Sequence, residues 1–347
     1  MNPEEELPFA SLIVPCRNEQ KHIAACLDSI LNNDYPRGRL EIIVVDGLSE
    51  DGTRSILESY RRKYPFIQIL DNPKCYVSSA MNRGLRQAKG GIIFKMDAHA
   101  DYPPDYLTQC AGFLCKTQAQ NVGGKFVVRP GDQTKVAKGI ALAMGHPFGG
   151  GNYYRWMHAR RSPTEVETVS FGCFKKKFFD QHGLSFNENL ARGEDVEINA
   201  RIKRLGGKVI FTPDIQFNYY CRAGLKEFWR HQYSSGFWNV YGARYGTRLT
   251  VRALIPLTAL LTLGAMTVLS TLFPQSLAVL SLLITLYLII NLGISLKLAW
   301  KQKEPVFFIL MPIVFATLHL SFACGAFRGT LKKYAHAFQP QAAFAKT

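Results

Sequence analysis

The sequence has 347 residues, 47% of them hydrophobic, with 42 Lys and Arg against 26 Asp and Glu and a formal net charge of +16. Such a length and apolar share can bury a sizeable core, which excludes a mainly disordered chain. Residues 253–296 hold no Asp, Glu, Lys or Arg, and 305–327 hold only His319 and Cys324 as ionisable groups, which excludes a wholly soluble protein.

The opening MNPEEELPFA has acids and a proline where a secretory signal carries basic residues and an apolar run, so the first 250 residues are expected in the cytoplasm. From residue 9, apolar runs alternate with amphipathic stretches. The pattern predicts strands at 9–14, 41–46, 66–70 and 91–97, and helices at 19–31, 51–63 and 77–88. Repeated β-α-β units imply an α/β fold with a mostly parallel central sheet and helices on both faces. Ligands in such sheets lie beyond the carboxyl ends of the strands. Neither G-x-G-x-x-G nor G-x-x-x-x-G-K-[ST] occurs, so dinucleotide-dependent hydride transfer and P-loop phosphoryl transfer lack their signatures. Acids stand at the strand ends instead: Glu19 after the first, Asp46 in VVDGLSEDGT and Asp97 in KMDAHAD.

A second half, about 120–220, is expected to hold mixed strands at 121–128, 168–174 and 208–211, with glycine-rich GHPFGGGNYYR between them, and to build a second substrate's site. In LARGEDVEINARIKRLGG a helix should begin at about Glu194, where carboxylates suit the exposed amides, with Val196, Ala200 and Ile202 facing the core. Beyond it, Arg222, Lys226, Arg230, Arg244, Arg248 and Arg252 are opposed only by Glu227. No nucleic-acid module is present, so this charge reads as attraction to anionic lipid and to phosphate-bearing lipid substrates. Phe228, Trp229 and Trp238 read as membrane-surface aromatics or as stacking partners for sugar. About 20 apolar residues cross a bilayer. The tail therefore predicts three spans near 253–273, 277–297 and 305–327, the first two parted by a turn at 273–276 and the third full or re-entrant, with a full crossing favoured. The implied division is 1–221 catalytic, 222–252 basic and interfacial, and 253–347 membrane and tail. The eight cysteines show no C-x-x-C pair and read as small apolar fillers.

VPCRNE, VVDGLSEDGT, MDAHADYPPDYL and GEDVEINARIKRLGG, in this order and spacing, resemble family 2 glycosyltransferases of the GT-A fold. The DAHA element, the VGG after it, the glycine-rich stretch and the apolar tail resemble the membrane-bound exopolysaccharide enzymes of the succinoglycan glucosyltransferase kind. The resemblance implies inverting, non-processive transfer of a sugar from a nucleotide-sugar, a UDP-sugar, to a polyprenyl-linked saccharide. It implies a multi-pass protein of the cytoplasmic membrane, with other polysaccharide-assembly proteins as candidate partners. Two rivals remain at this stage, a polyprenyl-phosphate glycosyl synthase and a silent membrane scaffold.

By resemblance, Pro15, Arg17 and Glu19 would line the nucleotide pocket, Asp46 would contact the uracil and Asp97 the ribose or a metal. Asp195, beside Glu194, matches the family's base. A departing nucleoside diphosphate needs a divalent cation, Mn²⁺ or Mg²⁺, and a hydroxyl acceptor needs a base. The usual D-x-D would place Asp at His99, so the ligand set becomes Asp97 and His99, with Asp101 either a further ligand or a helix cap before Pro103. An imidazole ligand favours Mn²⁺. Lys74, Asn82 and Arg83 read as diphosphate contacts or as solvated helix. The Q-x-x-R-W of processive synthases is absent, and Gln232 with Trp238 stands in as a Gln-aromatic pair over the acceptor. His146, His158, His182, His231 and His319 lack metal spacing and read as structural.

Overall fold

The computed structural model describes residues 7–149, 152–247, 249 and 251–332. Strands β1 (Ala10–Cys16), β2 (Leu40–Asp46), β3 (Ile67–Asp71) and β4 (Ile92–Lys95) alternate with helices α1 (Ile23–Leu31), α2 (Thr53–Lys63) and α3 (Val77–Gln87). The four strands are parallel, in the order β3-β2-β1-β4. All seven residues of β2 are buried, as a strand covered by helices on both faces requires.

The second half adds β5 (Ala100–Asp101), α4 (Tyr106–Lys116), β6 (Ala119–Arg129), α5 (Lys135–Gly145), α6 (Asn152–Ala159), β7 (Thr164–Glu165), β8 (Cys173–Lys175), α7 (Lys176–Gln181), α8 (Glu194–Arg204) and β9 (Lys208–Tyr220). β8 joins β4 antiparallel, and the sheet continues through β6 and β9 to β5, giving one mixed sheet. This is the expected α/β architecture, with Pro15 near the end of β1 and Asp97 just beyond β4.

Several boundaries differ from the sequence pattern. The first helix begins at Ile23 because Glu19 lies in a turn whose carbonyl accepts from the amides of His22 and Ile23. Its own amide donates to Thr53 Oγ1 at 2.8 Å, and the Asn18 amide donates to Ser49 Oγ at 2.9 Å, so the loops after β1 and β2 are sewn together. β9 runs nine residues past the predicted end. The register jumps from Gly123↔Phe211 to Lys125↔Gln216, so Pro213 sits in a bulge that needs no ladder donor. In α8 the core face is Ile198 and Ile202, while Ala200 is half-buried and Val196 turns to a cavity. All eight cysteines are free; five are buried fillers, but Cys75 and Cys324 are half-buried and Cys115 is exposed.

Helix α9 (Leu225–Tyr241) follows, then the apolar α10 (Val251–Leu272), α11 (Ser276–Gln302) and α12 (Val306–Leu331), each long and apolar enough to cross a membrane. Within the predicted basic segment, Arg248 lies outside the described residues, as does the side chain of Arg252 and everything after Lys332. The aromatics of α9 divide: Phe228 and Trp238 are buried inside the protein and Trp229 alone of the three is exposed.

The three apolar helices are not equivalent. In the most apolar window of α12, 39% of residues are buried within the protein, against 6% for α10 and for α11. One face of α12 meets the catalytic half along its length. Lys135 of α5 pairs with Glu304 just before it, Phe148 packs on Phe315 and His319, and Arg244 donates to the Thr330 and Lys332 carbonyls at its end. Against α9 the contact is backbone to backbone: a Cβ on Gly325 would lie 1.9 Å from the Tyr233 carbonyl oxygen, and one on Gly236 would lie 2.0 Å from that of Phe322. The length for a full crossing is present, while the start of α12 touches α5 and its end touches the 242–245 turn after α9.

Candidate active site

A cavity of about 480 Å³ opens beyond β1 and β4. Pro15, Lys95, Asp97 and His99 form one wall, and the first turn of α8 forms another. Gly193 precedes α8 at φ 81°, a left-handed turn that glycine adopts without steric cost, and it delivers Glu194 and Asp195 into the cavity. Tyr219 of β9, Arg222, and His231, Ser235 and Trp238 of α9 complete the enclosure.

Lys95 organises the two acids. It is the last residue of a buried strand, and its Nζ lies 2.6 Å from both Glu194 Oε1 and Asp195 Oδ1. Burial opposes the lysine charge, yet the two carboxylates raise its pKa above the ordinary lysine range. Burial pushes the Asp195 carboxyl up, Lys95 pulls it down and Glu194 adds to the rise, leaving it at about 6. A carboxylate with that pKa is ionised at neutral pH and more basic than an exposed one.

Across the cavity His99 Nδ1 lies 3.0 Å from Glu19 Oε1 and 3.0 Å from Asp97 Oδ1. Burial works against the charged imidazole, but Asp97 raises its pKa well above normal; burial likewise works against the Asp97 carboxylate, and His99 holds its pKa low. Carboxylate oxygens and an imidazole nitrogen are donors that fit a divalent cation such as Mn²⁺. Among the described residues no three His, Cys, Asp or Glu form a ready metal cluster. Here Nδ1 faces the acids directly instead of converging with them on a common point.

The sequence-derived residues therefore separate into two sets. Pro15, Asp97, His99, Glu194, Asp195 and Trp238 line the cavity, and Glu19 is bonded to it through His99. Arg17, Asp46, Lys74, Asn82, Asp101 and Gln232 do not. Arg17 pairs with Glu50 at 3.6 Å, and Asp46 accepts from Ser49 Oγ at 2.6 Å and faces Arg54 at 3.4 Å. Lys74 bridges to Glu188 at 2.6 Å, while Asn82 binds the Phe186 backbone and Glu188, so this pair staples α3 to the 186–188 loop. Asp101 pairs across β5 and β9 and accepts from Asn218 at 3.2 Å.

Lys95, Arg192, Arg222 and His231 line the cavity without having been singled out for it. For Lys95 a signal existed: a lysine ending an otherwise apolar four-residue strand, just before an acid at its carboxyl end. Nothing local marks His231, whose place depends on how α9 packs.

A parallel first half, a mixed second half and a carboxylate pair opening a helix across the intervening cleft define a GT-A glycosyltransferase. The family model described as "Glycosyl transferase family 2" matches residues 11–183, and the chain belongs to that family. Over 329 residues it is 27% identical to a dolichyl N-acetyl-alpha-D-glucosaminyl phosphate 3-beta-D-2,3-diacetamido-2,3-dideoxy-beta-D-glucuronosyltransferase of Methanococcus voltae, covering 93% of this chain and 98% of that one. The succinoglycan biosynthesis protein ExoA of Rhizobium meliloti is 28% identical over 243 residues, 67% of this chain and 69% of that one. Among solved structures, the mannosyltransferase PcManGT from Pyrobaculum calidifontis, in complex with GDP-Man and Mn²⁺, aligns with a TM-score of 0.57 at 19% identity, covering 93% of this chain and 87% of that one. That likeness is one of fold.

Proposed function

We propose that this glycosyltransferase moves a sugar, with inversion and one residue at a time, from a UDP-sugar to a hydroxyl of a polyprenyl-linked saccharide in exopolysaccharide synthesis. The observation that carries the reading is Asp195: a half-buried carboxylate fixed at 2.6 Å by Lys95 in the cavity that also holds Asp97, where burial pushes it up to about 6. A hydroxyl nucleophile must lose its proton as it attacks, and a base of this strength is matched to that task near neutral pH. In one displacement the acceptor oxygen bonds to the anomeric carbon, the bond from that carbon to the diphosphate breaks, and the proton passes to Asp195. Asp97 and His99 would hold a divalent cation, which when bound neutralises the departing diphosphate. Trp238 would give the acceptor sugar an apolar face to lie against.

The relatives support the acceptor class. The Methanococcus voltae enzyme is named for transfer to a sugar already attached to dolichyl phosphate, and ExoA is named for succinoglycan biosynthesis. In this reading α10 and α11 form a hairpin in the cytoplasmic membrane and α12 lies beneath the catalytic half.

The test is transfer by membranes containing the wild-type or the Asp195→Asn protein, with lipid-linked saccharide and bare polyprenyl phosphate offered separately. The reading requires a saccharide product whose formation collapses in the variant. Sugar transferred to bare polyprenyl phosphate at the wild-type rate by Asp195→Asn would instead identify a polyprenyl-phosphate glycosyl synthase, because an ionised acceptor needs no base.

A further inference from the structure

One wall of the cavity carries cationic groups that the acids opposite do not use. Arg192 sends Nη1 to His231 Nε2 at 3.1 Å and to Ser235 Oγ at 2.9 Å. Arg222 lines the same cavity, and among the described residues neither arginine has a carboxylate within ion-pair distance. A guanidinium only donates, so His231 Nε2 is the acceptor and the proton of the neutral ring sits on Nδ1. That nitrogen is buried and makes no hydrogen bond among the described residues. Two guanidinium groups lining an open volume, with the His231 ring beside them, match the oxygens of an oxyanion, which arginine's fork binds in preference to any neutral ligand.

We propose that Arg192, Arg222 and His231 form a phosphate seat on the α9 side of the cavity. The proposal rests on the transferase reading above, since that reaction brings two phosphate-bearing ligands together: the donor's diphosphate and the phosphate that links the acceptor saccharide to its lipid. One of the three is anchored to the side that meets the apolar helices. His231 and its partner Ser235 lie on α9, whose next turns press backbone to backbone on the apolar α12. A lipid phosphate seated there would rest near the membrane helices while the saccharide beyond it reaches Asp195.

The experiment uses the full-length protein in neutral-lipid nanodiscs, with no metal added, and measures binding of farnesyl phosphate, farnesol and inorganic pyrophosphate. Wild type should bind farnesyl phosphate more tightly than farnesol. Arg192→Gln and Arg222→Gln should each weaken farnesyl phosphate roughly 10-fold or more, the scale of one charge-assisted contact, and leave farnesol unchanged. Loss confined to pyrophosphate would keep the seat and assign it to the donor. If both variants melt like wild type and bind both phosphate ligands as wild type does, the proposal is overturned. Arg222→Gln guards against a folding artefact, because Arg222 has no hydrogen bond to lose among the described residues. Failure of the transferase reading is read separately: Asp195→Asn would then keep transferring to the saccharide, whatever the arginine variants do to farnesyl phosphate binding.

Discussion

Lys95 Nζ stands 2.6 Å from Asp195 Oδ1, joining the end of β4 to the first turn of α8 across the boundary between the two halves of the catalytic region. The contact fixes the position of the carboxylate and opposes the rise in its pKa that burial causes.

Asp195→Asn should lower transfer by about 100-fold or more while nucleotide-sugar binding stays within a few-fold, because a positioned base contributes on that order. In the wild type, Asp195 acts as a base only when ionised. With its carboxyl near 6, kcat/KM should fall as the pH drops through about 6 and level off above it. A profile flat from pH 5 to 8 on a hydroxyl acceptor would remove Asp195 from that role.

Lys95→Met leaves buried Glu194 and half-buried Asp195 without their cation. The fold should lose about 3–5 kcal/mol, the usual cost of removing one partner of a buried ion pair. The remaining activity should show its acid limb at higher pH, since Lys95 is what lowers the Asp195 pKa against burial. Thermal melts and a pH–rate profile check the two effects independently.

His99→Ala should raise the Mn²⁺ concentration needed for half-maximal activity, and His99→Asp should move the preference toward Mg²⁺. Glu19→Gln, which weakens the carboxylate contact to His99 Nδ1, should alter the same titration. Identical metal curves for wild type and His99→Ala would leave Asp97 and the diphosphate as the cation's holders.

Gly325→Leu or Gly236→Leu should part α9 from α12, because the new side chain meets a backbone carbonyl and not a movable neighbour. Overpacking of this kind costs roughly 1–3 kcal/mol or more. Faster cleavage of the variants by protease in detergent would register it.

Topology is accessible to labelling in a cysteine-free background. A cysteine at Gln275, in the turn between α10 and α11, should react with an impermeant thiol reagent from outside intact cells, and one at Lys303 only after lysis. A cysteine at Lys332, whose carbonyl accepts from Arg244, should react only after lysis if α12 stays docked on the cytoplasmic side, and from outside intact cells if it crosses in full.

The first half of the fold was legible because each strand is a short apolar run that ends at a polar residue, and the helices between them are amphipathic. Within the second half, most of β9 went unread, since its pairing jumps register at a bulge around Pro213 that a strand's alternation does not encode. The site was legible where a motif coincides with the end of an element, at Asp97 just after β4 and Asp195 in the first turn of α8. It was illegible where the partner is remote: 100 residues separate Lys95 from Asp195 and 39 separate Arg192 from His231, and no local periodicity encodes either meeting. Asp101 shows another case. Its spacing from Asp97 suits a ligand, while its side chain lies outside the cavity lining and accepts from Asn218.

The docking of α12 bears on how the enzyme can be handled outside a cell. Cutting the chain near residue 250 to obtain a water-soluble fragment would strip Ile140, Ala143 and Phe228 of Met311, Val314 and Phe315, which share one core with them. The product would carry a greasy scar across α5 and α9 and would lose the prop behind His231 and Trp238. A shortened form that stays dissolved but turns over poorly would thus be reporting a missing buttress, not a missing anchor.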